Sequence, residues 1–448
     1  MGLDLPKFYK ACNPSKTLTV DKIEDRQYYI DFSSVRGGKI IEELRDNITF
    51  FSPDEPTCQL FTGHIGCGKS TELNQLKYVL QQEGFHVVHF ESDQDLEMVD
   101  VDISDILLSI ARQVSESLEK IKIKIQPKGF QALLTGAAKL LQTEIDVKAE
   151  ASVPGIAKVS ASSEGEFSLG FGIGKLTAKA KQSPDARNRL RQYLEPRTKS
   201  VLDIINQELL LPAIDKLKQQ GKKGLVVIVD NLDRVETTLE HNQPEYLFVE
   251  RGEQLRQLCC HVVYTIPLSL IFSNDLGRLT ERFGVSPKVL PMVPVKLRSG
   301  NCYDEGIILL QKMVLARAFP DIVEAHRFGL ITELFDTPET LERLCLMSGG
   351  HVRSLLRLLH RCIEKERRLP LSRNNLETVI KERCNQLALG ITDEIWSLLK
   401  QVSQDKSVTG EVEYQNLIHS MFVFEYREST ESWFDVNPIL LEAKRFVS

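Results

Sequence analysis

Nine consecutive residues constrain this chain more than any other stretch: Gly63-His64-Ile65-Gly66-Cys67-Gly68-Lys69-Ser70-Thr71. Their spacing is G-x-x-x-x-G-K-[ST], a loop suited to wrapping a phosphate. Glycines let backbone N–H groups point inward where a Cβ would clash. A helix opening near Lys69 would offer its unsatisfied N–H groups and positive dipole end to the same anion. Lys69 is then expected to reach the β- and γ-phosphates, and Ser70 to ligate Mg²⁺. The flanks agree. Residues 58–62 read as a short buried strand, and Leu73, Leu76, Val79 and Leu80 share one face of a helix. Strand, glycine loop and helix form the context this motif requires.

A second stretch, Leu225-Val-Val-Ile-Val-Asp230-Asn-Leu-Asp233-Arg234, belongs with the first. An unbroken β-branched run needs both faces covered, as in a parallel sheet. An acid at its C-terminal end lies where phosphates bind, so Asp230 is expected in the Mg²⁺ shell with Ser70. Many hydrolysing P-loop enzymes place a glutamate next; here it is Asn231. Asp233 is the candidate base or water-positioning group, with a helix N-cap as its alternative role. That departure predicts slow hydrolysis. Thr265 ends another strand, 261–266, and either contacts the γ-phosphate or faces solvent. Arg278 and Arg282 either reach across a subunit boundary or sit in water. Residues 289–297, with Pro291 and Pro294, read as an edge strand.

Composition sets the class. With 448 residues, two or three domains are expected. The 42% hydrophobic and 26% charged fractions are those of a globular protein, and the net charge of −6 does not suit general nucleic-acid coating. Nine cysteines without a C-x-x-C pair fit reduced thiols in a cytoplasmic protein. The polar start, Met-Gly-Leu-Asp-Leu-Pro, does not read as a secretory leader, and no apolar run is long enough for an ordinary membrane span.

The chain divides into four expected segments. Residues 1–57 form an N-terminal segment, in which Arg36-Gly37-Gly38 precedes an amphipathic helix and either lies against the base or makes a plain turn. Residues 58–300 form the nucleotide-binding core. Within it, residues 120–200 carry 15 Lys or Arg against 7 Asp or Glu. This insertion includes a helix at 129–141 and alternating patterns at 145–153 and 167–176. In the second pattern Gly170, Gly172 and Gly174 share one strand face. It reads as a β-hairpin or disordered insertion, or as an element docking on a membrane, a partner or nucleic acid. A long helix over about 186–220 is expected to break at Pro196 and Pro212. Residues 301–390 are helical; a glycine pair, Gly349-Gly350, opens a helix carrying Arg353 back toward the nucleotide. Arg357, Arg361, Lys365, Arg367 and Arg368 continue it as a basic face, solvated or DNA-binding. In 391–448, helix, two strands around a turn at 427–431, and a terminal helix fit a winged-helix-like module for protein or DNA contact.

Together these motifs resemble AAA+ and STAND-type P-loop ATPases. The Asp-Asn-Leu-Asp-Arg order at 230–234 is similar to KAP-type NTPases, and the Gly-Gly…Arg helix and the tail to the origin-recognition branch. The resemblance implies an α/β ASCE P-loop fold with a parallel sheet, a helical lid and a C-terminal winged-helix-like domain. It implies ATP and Mg²⁺ as cofactors, Thr265 as sensor 1 and Arg353 as sensor 2. It also implies nucleotide-controlled homo-oligomers. Two uses follow: a signalling ATPase acting on a partner or effector protein in prokaryotic defence or stress, or a DNA-binding loader. A third is control of a membrane-engaging insertion.

Overall fold

The run at 225–230 is buried at every position, so it must have neighbours on both edges and layers on both faces. The computed structural model supplies them; it describes residues 3–125, 127–141, 169–235, 242–428 and 431–447. Five parallel strands, β1 (Cys58–Gly63), β2 (His86–Glu91), β3 (Leu225–Asp230), β4 (His261–Thr265) and β5 (Lys288–Leu290), lie in the order β2-β3-β4-β1-β5. The loop strand and the Asp230 strand are therefore separated by β4. The strand run expected over 289–297 is shorter, three residues, but it does take the edge. The C-terminal ends of β1, β2 and β3 bring Gly63, Glu91 and Asp230 to one rim of the sheet, where ligands of open α/β sheets bind.

Helix α1 (Lys69–Gln82) follows the loop and buries Leu73, Leu76 and Leu80 against one sheet face. The other face carries α2 (Ile103–Lys120), begun by a capping box from Asp102 and Asp105. Against α2 packs α4 (Leu169–Gln182), which in turn carries α3 (Lys128–Leu140) and α5 (Pro184–Leu194). The insertion is thus helical over its described part. The strand expected at 167–176 is corrected to helix from Leu169 onward. Positions 170 and 174 share a face in either geometry, which made the glycines ambiguous. Leu169, Ile173 and Leu176 are buried at helical spacing while Phe171 is exposed. A Cβ on Gly170 would stand 2.7 Å from Glu116 Cγ of α2, so glycine lets the two helices approach. The pattern at 145–153 lies outside the described residues.

The long helix expected over 186–220 breaks at Glu195–Arg197, as Pro196 requires, but continues through Pro212 by way of a π-helical turn, Ile205–Leu210. The lid region contains α6 (Asp304–Ala318), α7 (Pro338–Ser348), α8 (Val352–Glu366) and α9 (Arg373–Ala388). The tail contains α10 (Asp393–Asp405), α11 (Val412–His419) and an antiparallel hairpin, β6 (Val423–Glu428) with β7 (Glu431–Val436). Its strands run further into the expected turn than the polar residues 427–431 suggested. The cores cross the expected boundaries. Phe8, Cys12, Phe32 and Val35 of the N-terminal segment pack with the lid. Phe424, Tyr426 and Trp433 of the hairpin pack with α1 and the sheet. Among the described residues no helix is long and apolar enough to cross a membrane.

Candidate functional site

The loop has the backbone that its glycines allow. Gly63, Gly66 and Gly68 lie at φ 151°, 89° and 110°, and a Cβ on Gly63 would stand 2.5 Å from the Leu290 carbonyl oxygen. Lys69, 6% exposed, donates to the carbonyls of Gly63 (2.6 Å) and His64 (3.0 Å) and pairs with Asp233 Oδ2 at 2.9 Å. Burial opposes its charge, but Asp233 overrides this and holds the lysine pKa above its ordinary value. Three N–H donors thus meet three acceptors. An incoming phosphate must take the place of Asp233.

Asp230 stands at the rim, 1% exposed. Its Oδ1 accepts from the Asn231 N–H at 2.7 Å, while its buried Oδ2 has no hydrogen-bond partner and lies 3.8 Å from an equally unpartnered His89 Nε2. Burial raises its pKa, and His89, the Ser70 hydroxyl and the Asn231 N–H more than offset this, so the carboxyl is held below its usual range. An ionised, buried oxygen without a partner beside a serine hydroxyl fits a hard cation. Asp230 and Ser70 would hold Mg²⁺, which would neutralise charge on the phosphates.

Three successive loop residues are bonded to distant parts of the chain. The Ile65 carbonyl accepts from His351 Nε2 (2.9 Å), and the Gly66 carbonyl from the Arg353 N–H (3.2 Å), both at the start of α8. The His64 ring accepts from the Glu425 N–H in β6 at 3.0 Å. Burial lowers both histidines to about 3, so both are neutral. Gly350 allows this docking: at φ 74°, a Cβ there would stand 1.6 Å from the Val293 carbonyl oxygen. Glu425 is itself 3% exposed; its Oε1 accepts from Ser432 Oγ at 2.8 Å and its Oε2 has no partner. Burial pushes this carboxyl up to about 7.

A cleft of about 880 Å³, including its open part, runs from Ile65–Glu72 side chains to the N-terminal segment and α6. Gly68, Ser70 and Thr71 line one end with Asn231, Asp233, Arg234 and Arg353. Leu18, Tyr28, Ile30, Phe32 and Met313 line the other, a set of flat and apolar side chains sized for a base. Arg36 lies between them, 2% exposed, donating to the Cys67 carbonyl at 2.8 Å, with Glu72 3.8 Å away. Tyr29 Oη donates to Glu72 at 3.1 Å. The segment before the first strand thus reaches the cleft through Arg36, while Gly37 and Gly38 make the turn after it.

Comparison with known proteins agrees with this geometry. Residues 38–240 match the KAP family P-loop domain. No curated protein matches the chain. Among solved structures, the Walker-type ATPase paby2304 of Pyrococcus abyssi is 9% identical over 96% of this chain and 98% of that one, with a TM-score of 0.42. The Aeropyrum pernix ORC2 protein, in its ADPNP-ADP complexes, is 12% identical over 98% and 95%, at 0.40.

Lys69, Ser70, Asp230 and Asp233 come together at the rim of the sheet, and the start of α8 adds Arg353. Thr265 does not line the cleft. It is fully buried, accepts from the Leu232 N–H at 2.9 Å and donates to the Val229 carbonyl at 3.3 Å, so it pins the turn after β3. Asp233 is committed to Lys69 and does not stand free as a base. Arg278 pairs with Asp275 (2.7 Å) and Arg282 with Glu253 (3.5 Å) on the surface. Two of the five cations of the basic face are answered by acids: Arg361 by Glu364 and Glu382, Lys365 by Glu382. Sequence reasoning missed Arg234, His351 and Glu425. Only Arg234, inside the 230–234 motif, carried a local signal.

Proposed function

We propose that the chain is a nucleotide-operated switch: ATP with Mg²⁺ occupies the cleft, and its arrival and slow hydrolysis change how the lid and tail present themselves to a partner or effector protein or to a second copy. One observation carries this reading. His64 accepts from the Glu425 N–H through its ring, and its carbonyl accepts from Lys69. A phosphate that takes the place of Asp233 re-aims Lys69 and so acts, through the His64 carbonyl it contacts, on the residue that holds the tail hairpin. Ile65 and Gly66 extend the same coupling to α8. Ligand binding shifts such an equilibrium by its differential contacts with the two states. Asn231 in place of an acid supports slow turnover, because an amide can orient water but cannot take its proton. A prokaryotic defence or stress setting is the context the STAND and KAP resemblance implies.

The test is hydrogen exchange across residues 412–436, with and without ATP·Mg²⁺, using Lys69→Ala as the non-binding blank. Nucleotide-dependent protection or exposure of β6 supports the switch. Identical exchange in both states refutes it. ATP turnover with and without duplex DNA runs alongside, and a rate climbing severalfold with DNA would displace the switch in favour of a DNA-acting ATPase.

A further inference from the structure

The turn after β3 is held from outside. Asn231 sits at φ 62°, a left-handed conformation that Asn tolerates better than most residues. Its Nδ2 donates to Asp93 Oδ1 at 2.9 Å, and Arg234 Nη1 donates to Asp93 Oδ2 at 2.5 Å. Asp93 lies just past the end of β2, and β2 pairs with β3 so that Glu91 faces Asp230. Asn231 and Arg234 both line the cleft beside the phosphate loop, whereas Asp233 is taken by Lys69.

We infer that Asp93 is a positioning residue for hydrolysis, aiming the Asn231 carboxamide at the attacking water and the Arg234 guanidinium at the γ-phosphate. The inference rests on the hydrolysis step of the proposed function. With Nδ2 committed to Asp93, the Asn231 carbonyl oxygen is the end that accepts from water. The water oxygen bonds to the γ-phosphorus, and the bond from that phosphorus to the β,γ-bridging oxygen breaks, its electron pair leaving on ADP. The water proton passes to a γ-phosphate oxygen, since the amide cannot carry it. Arg234 faces Arg353, and their like charges oppose each other across the cleft; a phosphate between them satisfies both. The insertion meets the same turn: Lys181 of α4 donates to the carbonyls of Asp93 (3.4 Å) and Gln94 (3.2 Å). The basic insertion is thereby in direct contact with the residue that aims the chemistry.

The experiment is single-turnover ATP hydrolysis beside equilibrium ATP binding, in wild type, Asp93→Ala and Asp93→Asn. Asp93→Ala is expected to bind ATP like wild type and to hydrolyse it roughly 10–100-fold more slowly, the size of effect that misplacement of reacting groups produces. Asp93→Asn, which retains an acceptor, falls between. In an Asn231→Ala/Arg234→Ala background, removing Asp93 should have no further effect, a non-additivity that a merely structural role would not produce. Wild-type rates in Asp93→Ala, or parallel losses of binding and rate, overturn the assignment while leaving the switch intact. Wild type that binds ATP without hydrolysing it refutes the hydrolysis step itself, and the assignment with it.

Discussion

Glu425 offers a stability measurement with a sign and a size. Its carboxyl is 3% exposed, accepts one hydrogen bond from Ser432 and leaves Oε2 without a partner. Burial carries its pKa from 4.5 to about 7. The folded protein therefore holds this proton where the unfolded chain has released it. Stability falls as pH rises through that window, because the native state binds more protons than the unfolded one. At 1.36 kcal/mol per pH unit, the cost by pH 8 is about 3 kcal/mol. Glu425→Gln keeps the acceptor for Ser432 and cannot ionise. Urea unfolding of both proteins at several values from pH 4.5 to 8 isolates the effect as a difference of differences. The variant should gain on wild type across the window, by about 3 kcal/mol at its upper end, and level off above it. Parallel stability curves would show that the β6 carboxyl is solvated or paired, and the argument for its burial against the loop would fail.

Three further outcomes follow from contacts at the cleft. Asp233→Asn leaves Lys69 buried without its counter-charge, which destabilises the nucleotide-free protein by about 3–5 kcal/mol; ATP phosphates replace that charge, so calorimetry should show tighter ATP binding than wild type, and unchanged or weaker affinity would refute the competition. Gly66→Ala would place a Cβ 2.7 Å from His351 Nε2 at φ 89°, separating loop from lid; ATP affinity should drop by about tenfold, equivalent to 1.4 kcal/mol, and retained affinity would show that the docking is dispensable. Trp433, 1% exposed and stacked on Tyr426 with ring centroids 4.6 Å apart, anchors the hairpin; Trp433→Ala should cost about 3–5 kcal/mol in denaturant unfolding, and a loss below 1 kcal/mol would place the hairpin outside the core.

The parts legible in the sequence were those where chemistry and periodicity coincide. The phosphate loop is written in glycines with one physical use. The strand runs apolar over 225–229 because both its edges and both its faces are covered, and α8 follows a glycine pair whose positive φ values demand glycine. Residues 167–176 misled because a glycine every second position is also a glycine every fourth. Asp93 was invisible for a different reason. Ser92–Asp95 is a four-residue polar turn with no period, and its importance comes from strand pairing that brings it beside Asn231. His351 and Glu425 are likewise long-range partners of the loop, separated from it by hundreds of residues. No local pattern encodes such contacts. The motif places Asp233 near the loop, but its pairing with Lys69 could be known only once both side chains were placed.

The x positions of a phosphate loop are usually treated as free, yet here all four carry cargo: the His64 ring holds the hairpin, the Ile65 and Gly66 carbonyls hold the lid, and the Cys67 carbonyl holds Arg36. The loop is consequently not a portable cartridge. A graft matching every required glycine, lysine and serine from another enzyme would still cradle phosphate, but it would lose the ring that holds the tail, and a side chain at position 66 would press on His351. Positions 64, 66 and 351 form a compatibility group that must be exchanged together, and the motif's variable letters record the architecture in which it is installed.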